Sequence, residues 1–277
     1  MHNAAKDFLT ECDTLYDLLC NIDEQDLKCV TQFKKWTIED IVAHLHMWNV
    51  TALLTLKDQE QFRSFLADIL PVMGQEGHIK AQRFWLEKHS NNAQGRALID
   101  TWRSFYPQLA GAYRQTSPDQ RVAWVGPEMT TTAKIIARQM ESWAHGQAIF
   151  DILGAEREDS DRIRNICHLG VTTYSWTFRN RQITPPQPKP HVRLTAPSGA
   201  EWSWNDAQTD NFVRGSAVEF AQVVTQTRNI ADTKLETFGD AATQWMAIAQ
   251  CFAGPPEDPP AIGTRFINKW RVQIKIR

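Results

Sequence analysis

Glu141 and His145 stand four residues apart in the stretch Ala137-Arg138-Gln139-Met140-Glu141-Ser142-Trp143-Ala144-His145. On a helix that spacing sets a carboxylate and an imidazole on one face, about one turn apart. A second imidazole, His44 in Ala43-His44-Leu45, lies far upstream on another segment of helical periodicity. If the two helices pack together, His44, Glu141 and His145 converge as two nitrogen donors and one oxygen donor with a position left open. Three protein ligands and an open position are the pattern of a catalytic zinc site, whereas a structural site closes its shell with four. The donor types suit Zn²⁺ and also accommodate Fe²⁺, Mn²⁺ or Ni²⁺. Two plainer readings stand beside this one. The Glu141/His145 pair fits a solvated i,i+4 contact worth a few tenths of a kcal/mol, and His44 fits a boundary histidine of an amphipathic helix. The register favours the site, because Ala137, Ala144 and Ala148 surround Glu141 with small residues, while Ile136, Met140, Trp143 and Phe150 occupy the neighbouring positions.

The flanking polar residues take lesser roles. His46 and Gln147 are each two residues past a candidate ligand and point to another side of their helices. Asp40, four residues before His44, is placed either to orient that ring or to cap the helix. Trp48 is a core residue that could also wall a substrate, and His168 reads as structural. Arg228 suits a helix C-terminus, with an anionic substrate as the alternative contact. Cys12, Cys20, Cys29, Cys167 and Cys251 fall in neither ligand motif and read as small core residues. The residue pattern designates no catalytic acid or base and no cofactor-binding residue.

The elements that must position these groups are mostly helical. Apolar spacing predicts a first helix over about 3–21 and a second that begins at Thr37 and runs to about 55. Thr37 is a good N-cap with Asp40 at the third helical position, and Trp36 and Ile41 fit the flanking hydrophobic staple. A helical stretch over about 59–90, interrupted near Pro71 and Gly74, reads as a solvated insertion with a basic middle. Helices over about 94–115 and 130–153 complete four principal ones, the last stopped by Gly154. Another helical run covers about 163–178, and Pro185, Pro186, Pro188 and Pro190 then make an extended linker. Beyond it, Val192 and Leu194, then Trp202 and Trp204, alternate around Pro197-Ser198-Gly199 as a hairpin. Helices over about 215–227 and 239–253 follow, and the alternating basic stretch from 266 to 277 reads as a strand or tail. The expected architecture is mainly α: a four-helix bundle over 1–183, then a small α+β domain over 191–277.

Composition narrows the class of function. A net charge of −2 and a pI near 6.4 leave no electrostatic footprint for nucleic acid. No apolar run is long enough to span a membrane, and no signal peptide opens the chain. Five scattered cysteines without a C-x-x-C pair argue against a disulfide framework, so a cytoplasmic protein is expected.

The segment Trp36-Thr37-Ile38-Glu39-Asp40-Ile41-Val42-Ala43-His44-Leu45 resembles the first motif of the DinB-like metal-binding bundles, most of all their mycothiol-dependent maleylpyruvate isomerase branch. Glu141-Ser142-Trp143-Ala144-His145 is similar to that branch's second metal motif, E-x-x-x-H. Leu194-Thr195-Ala196-Pro197-Ser198-Gly199, Trp202-Ser203-Trp204, Gly215-Ser216-Ala217-Val218-Glu219-Phe220, Gly239-Asp240-Ala241-Ala242 with Trp245, and Phe252-Ala253-Gly254-Pro255-Pro256 resemble an uncharacterised metal-binding subfamily. The resemblance implies a divalent metal, typically zinc, on His44, Glu141 and His145, with water completing the shell. It also implies a sterol-carrier-like C-terminal domain, and a low-molecular-weight thiol as cosubstrate for isomerisation or S-transfer on a small molecule. A non-catalytic metal- or ligand-binding protein, for sensing or storage, is the competing expectation, and a homodimer is compatible with such a bundle. One departure stands out. Where the isomerase branch carries an arginine after a glycine near the last helix, this chain reads Ala253-Gly254-Pro255, leaving Arg228 or Arg265 as the candidates for that role.

Overall fold

The computed structural model describes residues 2–269, which divide into two compact units. The first runs to Ala155 and takes in Asn268; the second is Glu156–Ile267.

The first unit is helical. Helices α1 (His2–Leu19), α2 (Ile38–Lys57), α5 (Gly95–Arg114) and α6 (Thr131–Leu153) form a bundle in which α1 packs on α5 and α6, and α2 packs on both as well. Their shared core joins Phe8, Leu15, Ile41, Leu45, Trp102, Tyr106 and Ile149, all fully buried. Thr37 and Asp40 form the expected capping box: the Thr37 side chain accepts from the Asp40 N–H, while Asp40 accepts from the Thr37 N–H at 3.0 Å. Two orphan donors at the start of α2 are thereby satisfied, which fixes where the helix begins and so where His44 falls. At the far end of α6, Gly154 adopts φ 68° and ψ 20°, the left-handed conformation that stops a helix. A short ladder, β1 (Arg121–Val122) with β2 (Met129–Thr130), closes the loop that leads into α6.

Between α2 and α5 stand α3 (Gln59–Glu76) and α4 (His78–His89). The expected break at Pro71 does not occur. Pro71 and Ala67, whose carbonyl loses its helical partner, are both exposed, so water can satisfy what the ring removes. The chain turns instead at Gly77, φ 85°. Nor is this stretch a solvated insertion. Ala81, Gln82, Trp85 and Leu86 are buried, Gln82 Nε2 donates to the Asp40 carbonyl at 2.9 Å, and Arg83 reaches Asp40 Oδ1 at 2.9 Å. The basic residues on the outer face of α4 mask an inner face that packs on α2.

The second unit holds α7 (Arg164–Thr172), α8 (Tyr174–Arg179), a mixed sheet, α9 (Ala217–Val224) and α10 (Asp240–Ile248). The strands β3 (His191–Thr195), β4 (Glu201–Trp204), β5 (Phe212–Ser216) and β6 (Glu236–Phe238) lie in the order β4-β3-β5-β6. The hairpin β3–β4 pairs Val192 with Trp204 and Leu194 with Trp202. Strand β5 runs parallel to β3, with Val213 beside Val192. The expected boundary at the proline run does not separate the units: both flanks of that run lie in the second. Asn205, Gln208 and Asn211 donate to the carbonyls of Pro190, Lys189 and Pro188, and Tyr174 donates to that of Pro186. Side-chain donors thus pin a segment that cannot build its own ladder, and α7 and α8 group with the sheet. Of the expected terminal strand or tail, residues 270–277 lie outside the described residues.

Candidate metal centre

His44 lies in the second turn of α2, and Glu141 and His145 lie mid-helix on α6. The two helices bring all three together. His44 Nε2 lies 3.2 Å and His145 Nε2 2.9 Å from the same oxygen, Glu141 Oε2. One ligand atom from each residue falls within 4.8 Å of the others, and the two imidazole centroids are 4.6 Å apart. The side chains of His44, His145 and Glu141 are 9%, 13% and 24% exposed, so the donors are sheltered yet reachable.

Aromatic rings wall the group. Trp36 lies nearly parallel to His145 at 6.1 Å and tilted against His44 at 5.3 Å. Phe33 presents its edge to His145 at 4.9 Å, and Trp48 meets His44 at 6.3 Å. A further imidazole, His78 at the start of α4, stands 6.4 Å from His44 and 6.0 Å from Trp36. Trp36 was visible in the sequence as a flank of the helix cap and as the first residue of the family motif, not as a wall of the site. Phe33 and His78 carried no periodic signal, because one precedes its helix and the other follows a turn.

Burial sets the charges. It pushes the His44 pKa down to about 3, helped by the neighbouring His145 and opposed by Glu141, so this ring is neutral and its nitrogen is a donor. For Glu141 burial acts upward, but hydrogen bonds from His145 and His44, with the charge of Arg138, hold its carboxyl well below the usual range. Arg138 is itself buried and donates from Nε to Asn49 Oδ1 at 3.0 Å. Lys134 lies one turn earlier on the same face. Its Nζ sits 3.1 Å from the Trp124 ring centroid without a hydrogen-bond partner, and burial, with Arg138, pushes its pKa down to about 6.

Two imidazole nitrogens and one carboxylate oxygen, all turned to one point, are the donor set that a divalent ion of intermediate softness takes. The residues therefore fit such an ion. His44 Nδ1, buried without a partner, lacks the acceptor that usually orients a ligating imidazole. Asp40 does not supply it, since its oxygens serve the Thr37 cap and Arg83.

The other singled-out residues lie elsewhere. His46 faces away from the donor set, edge-on to Trp85 and Phe105. Gln147 donates to Asp151. His168 belongs to the second unit, exposed, and accepts from Trp204 Nε1 at 3.3 Å. Arg228 and Arg265, also in that unit, donate to the carbonyls of Thr227 and Gln226.

A helical unit carrying a two-histidine, one-carboxylate cluster defines the class, and comparison with known proteins defines the family. The family model described as the mycothiol maleylpyruvate isomerase N-terminal domain matches residues 8–150, and the chain belongs to this family. An uncharacterized protein of Mycobacterium tuberculosis, found in two strains, is 32% identical over 250 residues, covering 90% of this chain and 95% of the relative. Among solved structures, the mycothiol-dependent maleylpyruvate isomerase and a histidine-to-alanine mutant of it align at 16% identity with a TM-score of 0.48. Each alignment covers 79% of this chain and 86% of that one.

Proposed function

We propose that His44, Glu141 and His145 hold a divalent metal ion, zinc by donor type, and that the protein uses this centre for thiol-dependent chemistry on a small molecule, isomerisation or S-transfer. The observation that carries the reading is the convergence of both Nε2 atoms on one carboxylate oxygen inside an aromatic wall. When bound, such an ion supplies the Lewis acidity that lowers the pKa of a coordinated water or thiol. The chain's own residues keep His44 neutral and Glu141 ionised, and Trp36, Phe33 and Trp48 limit access of water. The thiol comes from outside the chain. Cys12 and Cys167 are buried with their thiols pushed well above the usual range, so neither supplies a thiolate. The family is described by mycothiol, a low-molecular-weight thiol, and a thiol of that class is the cosubstrate in this reading.

Metal analysis of protein purified without a histidine tag tests the site, with His44→Ala as the comparison. The expected result is about one ion per chain, lost in the variant; unchanged metal content in His44→Ala would sink the ligand assignment. Turnover of electrophilic acids or epoxides is then expected only with an added thiol. Stoichiometric metal with no turnover by any thiol would move the reading to a binding protein.

A further inference from the structure

On the side of α2 turned away from His44, a groove of about 670 Å³ opens between α2, α3, α4 and α5. Small-molecule sites run from about 300 to 1,000 Å³. Its floor is aromatic. His46, only 2% exposed, has Trp85 at 5.4 Å and Phe105 at 5.5 Å, both meeting its ring edge-on, and Phe65 lines the same space.

The rim is rich in acceptors. Along α5, Thr101 donates its hydroxyl proton to the Ala97 carbonyl at 2.7 Å and Ser104 donates to that of Asp100 at 2.7 Å. Gln108 Nε2 donates to the Ser104 carbonyl at 2.9 Å. With those protons committed to the helix backbone, the groups offer the groove their oxygens. Across from them stands Asp68, whose Oδ2 accepts from Lys88 Nζ at 2.6 Å, leaving Oδ1. The lining includes this carboxylate and no lysine or arginine.

We infer that this groove is a binding site, separate from the metal centre, for a small organic amine with an apolar body. Acceptor oxygens and a carboxylate around aromatic rings complement an ammonium group, which also gains from lying over the face of such a ring. A carboxylate or phosphate ligand would find amide and hydroxyl donors but no lysine or arginine in the lining, and would lie near the Asp68 carboxylate; a purely apolar one would leave the rim unused.

Calorimetric titration of the full-length protein with tryptamine, alongside indole-3-acetate and indole, tests this. The three share a ring and differ in charge. Tryptamine is expected to bind saturably and at least tenfold more tightly than either of the others. Asp68→Asn is expected to weaken it about tenfold, and Ser104→Trp, an exposed position that would fill the groove, to abolish it. Far-UV circular dichroism checks that both variants fold. His44→Ala is expected to leave tryptamine affinity unchanged, which separates this site from the metal centre. Equal affinity for the three probes, no saturable tryptamine binding, or an unchanged affinity in Asp68→Asn would each overturn the inference.

Discussion

Lys134 stands in an environment at odds with its chemistry. Its ammonium would be fully buried against Trp124 with no acceptor, and Arg138 adds a like charge one turn away. The folded-state pKa is accordingly about 6 against an ordinary 10.5. Between those values the unfolded chain holds a proton that the folded chain does not, so stability contributed at this position falls as pH drops from 10.5 and levels off below 6. Lys134→Met, which keeps the length and removes the amine, is therefore expected to stabilise the protein by roughly 2 kcal/mol or more near pH 7. The gain should shrink toward pH 10. Urea denaturation at pH 6, 8 and 10 checks it, and a gain that is constant or grows with pH contradicts the assignment. None of this was legible from the sequence, where Lys134 is one more helical lysine. Glu141 and His145 were legible because the i,i+4 spacing brings them together in any helix, and His44 because Thr37 and Asp40 set its register. Arg138, His78 and Phe33 were not, since only tertiary packing gives them their neighbours.

At the level of elements, local signals were reliable where chemistry is local. The Thr37 cap, the Gly154 stop and the Trp202/Trp204 hairpin all formed as their residues suggested. Signals that depend on a distant partner were weaker. The basic surface of α4 hid a buried face, and β5 showed too short an alternation to announce a strand that becomes one by pairing with β3. The packing of α7 on α9 offers a test of how tight these distant contacts are. A Cβ added at Gly170 would lie 2.8 Å from Val224 Cγ2 and 3.1 Å from Phe220 Cε1. Helix propensity alone favours alanine over glycine by about 1 kcal/mol. Overpacking a filled interface costs typically 1–3 kcal/mol, and here the neighbours are branched or aromatic and themselves buried. Gly170→Ala is thus expected to destabilise the second unit on balance, by about 1 kcal/mol, visible as a lowered melting temperature. A rise in melting temperature would show that Val224 and Phe220 yield more easily than their burial implies.

For the whole molecule, the division after Ala155 decides what each part can do alone. Among the described residues no helix is long and apolar enough to cross a membrane, and the family match, residues 8–150, ends inside the first unit. All three donors of the proposed metal site, their aromatic walls and a core cluster running from Ala4 to Leu153 belong to that unit. A fragment ending at Ala155 forfeits the bond from the Asn268 N–H to the Asp151 carbonyl, 2.8 Å long. That bond is worth about 1 kcal/mol net, and the buried core of the first unit from Ala4 to Leu153 stays whole in the fragment. The fragment is therefore expected to fold as a helical protein and to bind one zinc ion per chain with the affinity of the full-length protein. Circular dichroism and competition against a chromophoric chelator measure the two properties separately. A folded fragment with full affinity places the complete ligand shell in the bundle. A folded fragment that loses the ion while the full chain keeps it means that a residue beyond Ala155 completes the shell, and the three-ligand assignment is then too small.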